Sequence, residues 1–160
     1  MKKELTCLLI DPRENAYESE SESFKERIDY WINKYTSERQ LSGVIHSYET
    51  WFHIDDDSSF KPEKSDILIN PLLDYMDNDH DEYIVDIDNV MYAAQIQEKN
   101  SKLLCIFTLH PQDFSWSLDS EIENLQSEMK RQLPNFKGIY VNEENLDYSG
   151  FVSLIETHLS

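Results

Sequence analysis

The fold is decided by the segment Leu103–Leu109, whose sequence LLCIFTL is the most continuous apolar run in the chain. A run of this length, followed closely by Pro111, is typical of a β-strand that is covered on both faces. Three shorter runs are also mainly apolar and end next to a polar residue; they are Leu5–Ile10, Ile67–Ile69 and Ile139–Val141. We expect all four to be strands, the Ile67 strand being stopped by Pro71 because proline cannot donate to a ladder.

Amphipathic segments separate these runs. The clearest lies within residues 24–35, where apolar side chains recur at helical spacing. Similar patterns predict a helix from about Ile84, after a long acidic connection, and further helices from Leu118 and Ser149. Val44–Ser47 adds a short strand. This alternation predicts an α/β sandwich of three layers, in which helices cover both faces of a parallel sheet. No internal repeat or low-complexity linker divides residues 1–160, so we expect a single domain.

The chain is strongly acidic. It has 14 lysines and arginines against 32 aspartates and glutamates, which gives a formal net charge of −18. This charge argues against binding to nucleic acids or anionic membranes, because both need clustered cations. It suits a protein partner with a basic surface, a metal ion, or simple solvation. Because the sequence has neither a membrane-spanning run nor a signal-peptide pattern, we expect a cytoplasmic protein.

Common catalytic motifs are missing from the sequence. Its three glycines, Gly43, Gly138 and Gly150, are far apart, whereas a phosphate-binding loop needs several close together. There is no Gly-x-Ser-x-Gly motif and no His-x-x-x-His pair. Cys7 and Cys105 lie inside strand runs as small core residues that could touch on neighbouring strands, although a disulfide is not expected in a reducing compartment. We therefore expect no enzymatic activity and no cofactor.

Two acidic segments are candidate binding sites. They predict an acidic patch for a basic partner, made of Asp55, Asp56, Asp57, Asp77, Asp79 and Asp81. The second segment also has carboxylates at the first, third, fifth and twelfth positions of a calcium loop, which are Asp77, Asp79, Asp81 and Asp88. Glu82 stands where that loop needs glycine, and Pro71 stands where the preceding helix should run. A solvated acidic loop is therefore favoured over a metal site.

From its first strand to its last helix, the chain resembles the receiver domain of bacterial response regulators. Leu8–Pro12 is similar to the first receiver strand with its acidic end, and Asp66–Pro71 to the third strand, which carries the phosphoacceptor aspartate. Cys105–Thr108 is similar to the fourth strand with its switch threonine, and Gly138–Val141 to the fifth with its switch aromatic. The resemblance implies a flavodoxin-like sheet of five strands in the order 2-1-3-4-5, with Leu103–Leu109 near its middle.

The reactive positions of this pattern are altered. The phosphoacceptor position falls on Asn70 or Pro71, and neither side chain can form an acyl phosphate. The position of the receiver lysine falls on Asn142 or Glu143, and Pro12 replaces the second acidic residue after the first strand. The resemblance therefore implies a degenerate site that cannot run phosphotransfer. Its residues are Asp11, Asn70, Thr108, Tyr140 and Asn142.

Three functions stay open from the sequence. We expect a non-enzymatic regulatory module that works through protein contacts, with a homodimer as one arrangement. The alternative is an acidic immunity protein, whose charge would steer it onto a basic toxin. The third is a TIR-like NAD hydrolase, since such domains share this alternation of strands and helices. Near Asp86 and Asp88, however, there is no Trp-Cys-x-x-Glu pattern of the kind that marks their catalytic glutamate.

Overall fold

The computed structural model describes residues 4–15, 18–56, 64–72, 74–77, 82–85, 87–109 and 118–159, some of them by their backbone alone. Their strands are β1 (Glu4–Ile10), β2 (Ser42–Tyr48), β3 (Ile67–Leu72), β4 (Asp74–Asp77), β5 (Glu82–Val85), β6 (Leu104–Leu109) and β7 (Gly138–Asn142). Five of these strands form a parallel sheet in the order β2-β1-β3-β6-β7. Numbered along the chain, those five strands lie in the order 2-1-3-4-5, so the predicted flavodoxin-like α/β fold is confirmed.

Helices cover both faces of this sheet. They are α1 (Glu18–Glu38), α2 (Trp51–Asp56), α3 (Asp88–Lys99), α4 (Leu118–Gln132) and α5 (Tyr148–Leu159). One buried cluster joins α1 and α5 to one face of the sheet, and a second joins α2, α3 and α4 to the other face. The sheet is therefore the middle layer of three. Within the described residues, no helix combines the length and the apolar character needed to cross a membrane.

The predicted central strand is β6, which lies between β3 and β7. All of its residues are buried. Cys105, Phe107 and Leu109 belong to the cluster under α3 and α4, whereas Leu104 and Ile106 belong to the cluster under α1 and α5. Because both faces of the strand are covered, every position is apolar or small, and the alternating pattern of a half-exposed strand is absent. Burial of each large aliphatic side chain contributes about 1.5–3 kcal/mol.

Pro71 does not end β3, which continues to Leu72 in the middle of the sheet, so that part of the prediction was wrong. The pairing of β3 with β1 stops at Leu9 and Ile69. One residue further, the carbonyl of Ile10 would accept a hydrogen bond from the nitrogen of residue 71, which proline does not supply. The side chain of Asn70 supplies the missing hydrogen bond, because its Nδ2 donates to the Ile10 carbonyl at 2.8 Å.

The segment after β3 contains a hairpin that the sequence did not indicate. Strands β4 and β5 pair antiparallel, with Asp77 opposite Glu82 and Tyr75 opposite Ile84. The predicted helix from Ile84 was therefore wrong at its start, because α3 begins only at Asp88. The two strands contain aromatic and aliphatic residues, and these residue types favour strand pairing over the helical pattern. They are Tyr75, Met76, Tyr83 and Ile84.

The two cysteines are not on neighbouring strands, so the expectation that they could touch was wrong. Strand β3 lies between β1, which carries Cys7, and β6, which carries Cys105. Strands are spaced about 4.8 Å apart, and two intervals exceed the roughly 7 Å between Cα atoms that a disulfide can span. The two side chains also belong to opposite core clusters. Both thiols are free and buried.

We expect both thiols to resist alkylation in the folded protein. Burial raises the pKa of the Cys7 thiol and raises the pKa of Cys105 to about 12. The second shift alone lowers the thiolate fraction of Cys105 roughly a thousandfold near neutral pH. Iodoacetamide followed by intact-mass measurement should give no adduct in buffer and two adducts in urea. Labelling of either thiol without denaturant would contradict the burial described here.

Candidate functional site

The candidate site lies beyond the carboxyl ends of four neighbouring strands, where ligands of open α/β sheets bind. Asp11 directly follows β1, Asn70 lies near the end of β3, Thr108 near the end of β6, and Glu143 directly follows β7. All four side chains are buried. A fifth residue, Arg13, reaches into the same crevice from the 3-10 helix Pro12–Asn15, and its exposed fraction is only 1%.

Arg13 joins the carboxylates of Asp11 and Glu143. Its Nε donates to Asp11 Oδ1 at 2.9 Å, and its Nη2 donates to Asp11 Oδ2 at 2.8 Å, which makes this contact bidentate. Its Nη1 donates to Glu143 Oε2 at 2.9 Å. We call these three residues the Arg13 triad. The triad links the end of β1 to the end of β7 across the strands between them.

The local sequence places Arg13 in this position. The backbone N–H of Arg13 donates to Asp11 Oδ1 at 3.0 Å, so the aspartate also fixes the turn that follows β1. Pro12 begins the 3-10 helix because its fixed φ suits a helical first position. The guanidinium carbon of Arg13 then lies 5.2 Å from the centre of the Phe24 ring of α1. Turn, ring and carboxylates together hold the arginine in a single orientation.

The charges of the triad compensate one another incompletely. Burial acts to lower the pKa of Arg13, but the hydrogen bonds and charges of Asp11 and Glu143 raise it above its ordinary value. One guanidinium faces two carboxylates, so the formal charge of the triad is −1. A buried ion network of this kind is costly to desolvate, and it is kept only where each charge has partners. Removing Arg13 would leave two buried carboxylates without a cation, whereas removing either carboxylate would leave a neutral ion pair.

Two further polar side chains border the triad. Thr108 Oγ1 donates to Glu143 Oε1 over 3.4 Å, a long and therefore weak hydrogen bond. Asn70 Nδ2 donates to the carbonyls of Ile10 and Pro71, at 2.8 and 3.2 Å. Its Oδ1 is buried and has no hydrogen-bond partner among the described residues. Asn70 therefore acts as a donor to the backbone, a role that an ionised aspartate could not fill.

The other two residues of the predicted site, Asn142 and Tyr140, make contacts of a different kind. Asn142 caps the 3-10 helix Glu143–Asn145, its Oδ1 accepting from the Glu144 N–H at 3.0 Å. Of the two candidates for the lysine position, Glu143 and not Asn142 therefore reaches the triad. Tyr140 is buried and stacks on Phe107 with 5.2 Å between ring centres, and burial raises the pKa of its phenol. Its hydroxyl has no hydrogen-bond partner within the described residues.

The predicted acidic patch lies largely outside the described part of the chain. Asp57, Asp79 and Asp81 belong to residues that the structure does not describe, and only the backbones of Asp55, Asp56 and Asp77 are described. Asp88 is exposed at the start of α3. Among the described residues, no group of three or more histidine, cysteine or acidic side chains is arranged to hold a metal ion. The calcium and acidic-patch hypotheses therefore remain predictions.

The side chains of the crevice are not suited to phosphoryl-transfer chemistry. A receiver binds Mg²⁺ through carboxylates and neutralises the phosphoryl group with a lysine, but here both triad carboxylates already bind a guanidinium. If the chain is aligned with a receiver as the sequence predicts, Asn70 stands at the position of the acceptor carboxylate, and Glu143 brings a negative charge to that of the lysine. The described residues therefore do not fit a bound Mg²⁺ and phosphoryl group. Their arrangement is that of an internal salt bridge.

Sequence reasoning missed the central residue of the site. In the sequence, Arg13 stands at the start of a polar, acidic segment that runs to Ser23 and is typical of a solvated surface, but the arginine is buried and lies in the 3-10 helix Pro12–Asn15. A usable signal was present, because Arg13 is the only cation between Lys3 and Lys25 and lies two residues after a strand-end aspartate. An isolated cation beside a predicted buried carboxylate is a candidate for a buried ion pair.

Comparison with known proteins does not add to this picture. The chain matches no model of a protein family. No curated protein is significantly similar to it in sequence.

Proposed function

We propose that this chain is a non-enzymatic regulatory module of the receiver type, which acts through protein contacts and not through phosphotransfer. The observation that carries the proposal is the Arg13 triad, in which a guanidinium from the chain itself bridges the strand-end carboxylates. We place the module in the cytoplasm of a bacterium, by analogy with the receivers that it resembles. This assignment rests on fold and site geometry alone.

The triad suggests how such a module would differ from a phosphorylated receiver. A switchable receiver gains and loses charge in its crevice, and that change biases two arrangements of the domain. In this chain the cation is covalently part of the protein, and its charge is fixed because the pKa of Arg13 is raised. The crevice would therefore hold one arrangement permanently. A partner would bind a surface that does not change, and the cell would control this binding through the amount of protein.

We expect no phosphoryl group to be accepted at the strand ends. Incubation with acetyl phosphate and Mg²⁺, followed by intact-mass measurement, should leave the mass of the chain unchanged. A phosphorylatable receiver domain treated in the same way serves as the positive control. Amide NMR spectra should also be insensitive to beryllofluoride, which mimics the phosphoryl group. An acid-labile adduct mapped to Asp11 or Asp74 would contradict the proposal.

A second candidate function is supported by exposed acidic side chains at the end of the sheet where the Arg13 triad lies. These residues lie at the starts of helices that follow the strands, and they are Glu20, Glu22, Asp88, Glu144 and Asp147. An inhibitor of a basic toxin needs such a surface, because opposite charge accelerates association. A neighbouring gene for a basic toxin would favour this candidate. The TIR-like NAD hydrolase remains a prediction from the sequence, since no arrangement of the described residues favours it.

A further inference from the structure

Strand β2 forms one edge of the sheet and pairs on its other side with β1, residue for residue along its whole length. The Tyr48 carbonyl accepts from the Asp11 N–H at 2.9 Å, so the backbone groups of Tyr48 face β1. Backbone groups alternate in direction along a strand. Those of Gly43, Ile45 and Ser47 must therefore face away from the sheet.

These outward groups have no partner within the described residues. Exposed edges are usually protected by charged side chains, proline or a bulge, because an open ladder pairs readily with another strand. The sequence of β2, SGVIHSY, has no lysine, acidic residue or proline, and its register with β1 is unbroken. Val44 and Ile45 are also only half-buried. Among the described residues, nothing pairs with this edge, which can therefore accept one more strand.

A pocket of about 340 Å³ lies at the carboxyl end of the same edge. Ser47, Tyr48 and Glu49 of the β2 end contribute to it, opposite Glu22 of α1. Asp11 also lines the pocket, although its carboxylate is bound to Arg13. Two carboxylates remain, those of Glu22 and Glu49, and they outnumber the one lysine of the lining, Lys25. The lining also contains one histidine, His53, which lies 3.7 Å from Glu49. This lining favours a cationic group with an alkyl or planar stem.

We propose that β2 is extended by a strand from a basic protein partner, which inserts a lysine or arginine side chain into this pocket. The proposal rests on the proposed function, since it names the partner of a module that works through protein contacts. Backbone hydrogen bonds to Gly43, Ile45 and Ser47 would give affinity, and the pocket would give specificity. A second copy of this chain is disfavoured as the occupant, because each copy carries a charge of −18.

The test uses fluorescein-labelled peptides of alternating threonine and valine, in a set that carries one arginine at each position in turn. Matched peptides carry glutamate in place of arginine. We expect at least one arginine peptide to bind in fluorescence anisotropy, its glutamate match to bind at least about tenfold more weakly, and binding to weaken with salt. Amide hydrogen exchange should slow at Gly43, Ile45 and Ser47 when the arginine peptide is present.

One variant removes a hydrogen-bond donor of the edge, and another removes the carboxylate charges of the pocket. Ser47→Pro removes one outward N–H at an exposed side chain, so it should weaken peptide binding about tenfold, whereas Ser47→Thr should not. Glu22→Gln combined with Glu49→Gln should weaken binding about fivefold and reduce its salt dependence. Glu123→Gln, at an exposed position on α4, is the charge control and should bind as the wild type does. Circular dichroism and thermal melting confirm that each variant is folded.

Several results would overturn the proposal. They are the absence of binding and protection with every arginine peptide, equal binding of the glutamate peptides, and unchanged binding by folded Ser47→Pro. A dimer in sedimentation velocity that Ser47→Pro abolishes would assign the edge to a second copy instead. Phosphoryl transfer with intact peptide binding would overturn only the proposed function. Loss of peptide binding without phosphoryl transfer would overturn only this docking proposal.

Discussion

Arg13→Met is expected to lower the free energy of unfolding by about 3–5 kcal/mol, a large share of the stability of a domain of this size. Methionine approximates the stem of arginine but leaves the carboxylates of Asp11 and Glu143 buried without a cation. Those two groups are 5% and 2% exposed, so water reaches them poorly. The cost comes chiefly from this uncompensated charge, because the packing against Phe24 is largely preserved.

Urea denaturation followed by circular dichroism measures this effect. Arg131→Met is the matched control, because Arg131 also binds a carboxylate, that of Glu128, but both side chains are exposed and we expect little change. Neutralising the two triad carboxylates in the Arg13→Met background, with Asp11→Asn and Glu143→Gln, should recover a large part of the loss. If Arg13→Met unfolds at the same urea concentration as the wild type, the triad contributes nothing to stability.

The sheet was predictable because buried strands need apolar residues, and these are visible in the sequence as apolar runs. Leu103–Leu109 is apolar at every position except Thr108, because helices cover both faces of β6. The strand order followed from the receiver resemblance, which needs only the succession of strands and helices. Pro71 was misjudged for a different reason. The side chain of the preceding residue, Asn70, supplies the hydrogen bond that proline lacks. A pattern of hydrophobic residues does not reveal such a replacement hydrogen bond.

The site was only partly predictable because its central contact joins distant parts of the chain. The strand-end positions of Asp11, Asn70 and Thr108 follow from the sequence, since each lies at or beside the end of an apolar run. The bond from Arg13 to Glu143 spans 130 residues of sequence, and each residue alone is typical of a solvated surface. Only the sheet order brings the ends of β1 and β7 close enough for one guanidinium to bridge them.

Asn70→Asp tests whether one residue is enough to give the crevice the phosphoacceptor chemistry of a receiver, and we expect it to fail. The Asn70 side chain donates to the carbonyls of Ile10 and Pro71, and its exposed fraction is 0%. An ionised carboxylate there would face two carbonyl oxygens and lose both hydrogen bonds. We expect the free energy of unfolding to fall by about 3 kcal/mol, and no phosphoryl group to be gained from acetyl phosphate and Mg²⁺.

Asn142→Asp is the matched control for this variant. The Asn142 side chain accepts a backbone N–H as a cap, which a carboxylate does equally well, so stability should change little. Desolvation raises the pKa of the carboxyl introduced at position 70 in the folded state. Its penalty is therefore present at neutral pH and declines as pH falls through that raised pKa. Urea denaturation of the two variants from about pH 7 to about pH 5 should show their difference shrinking. A constant difference would mean that backbone packing, and not the buried charge, limits what residue 70 can be.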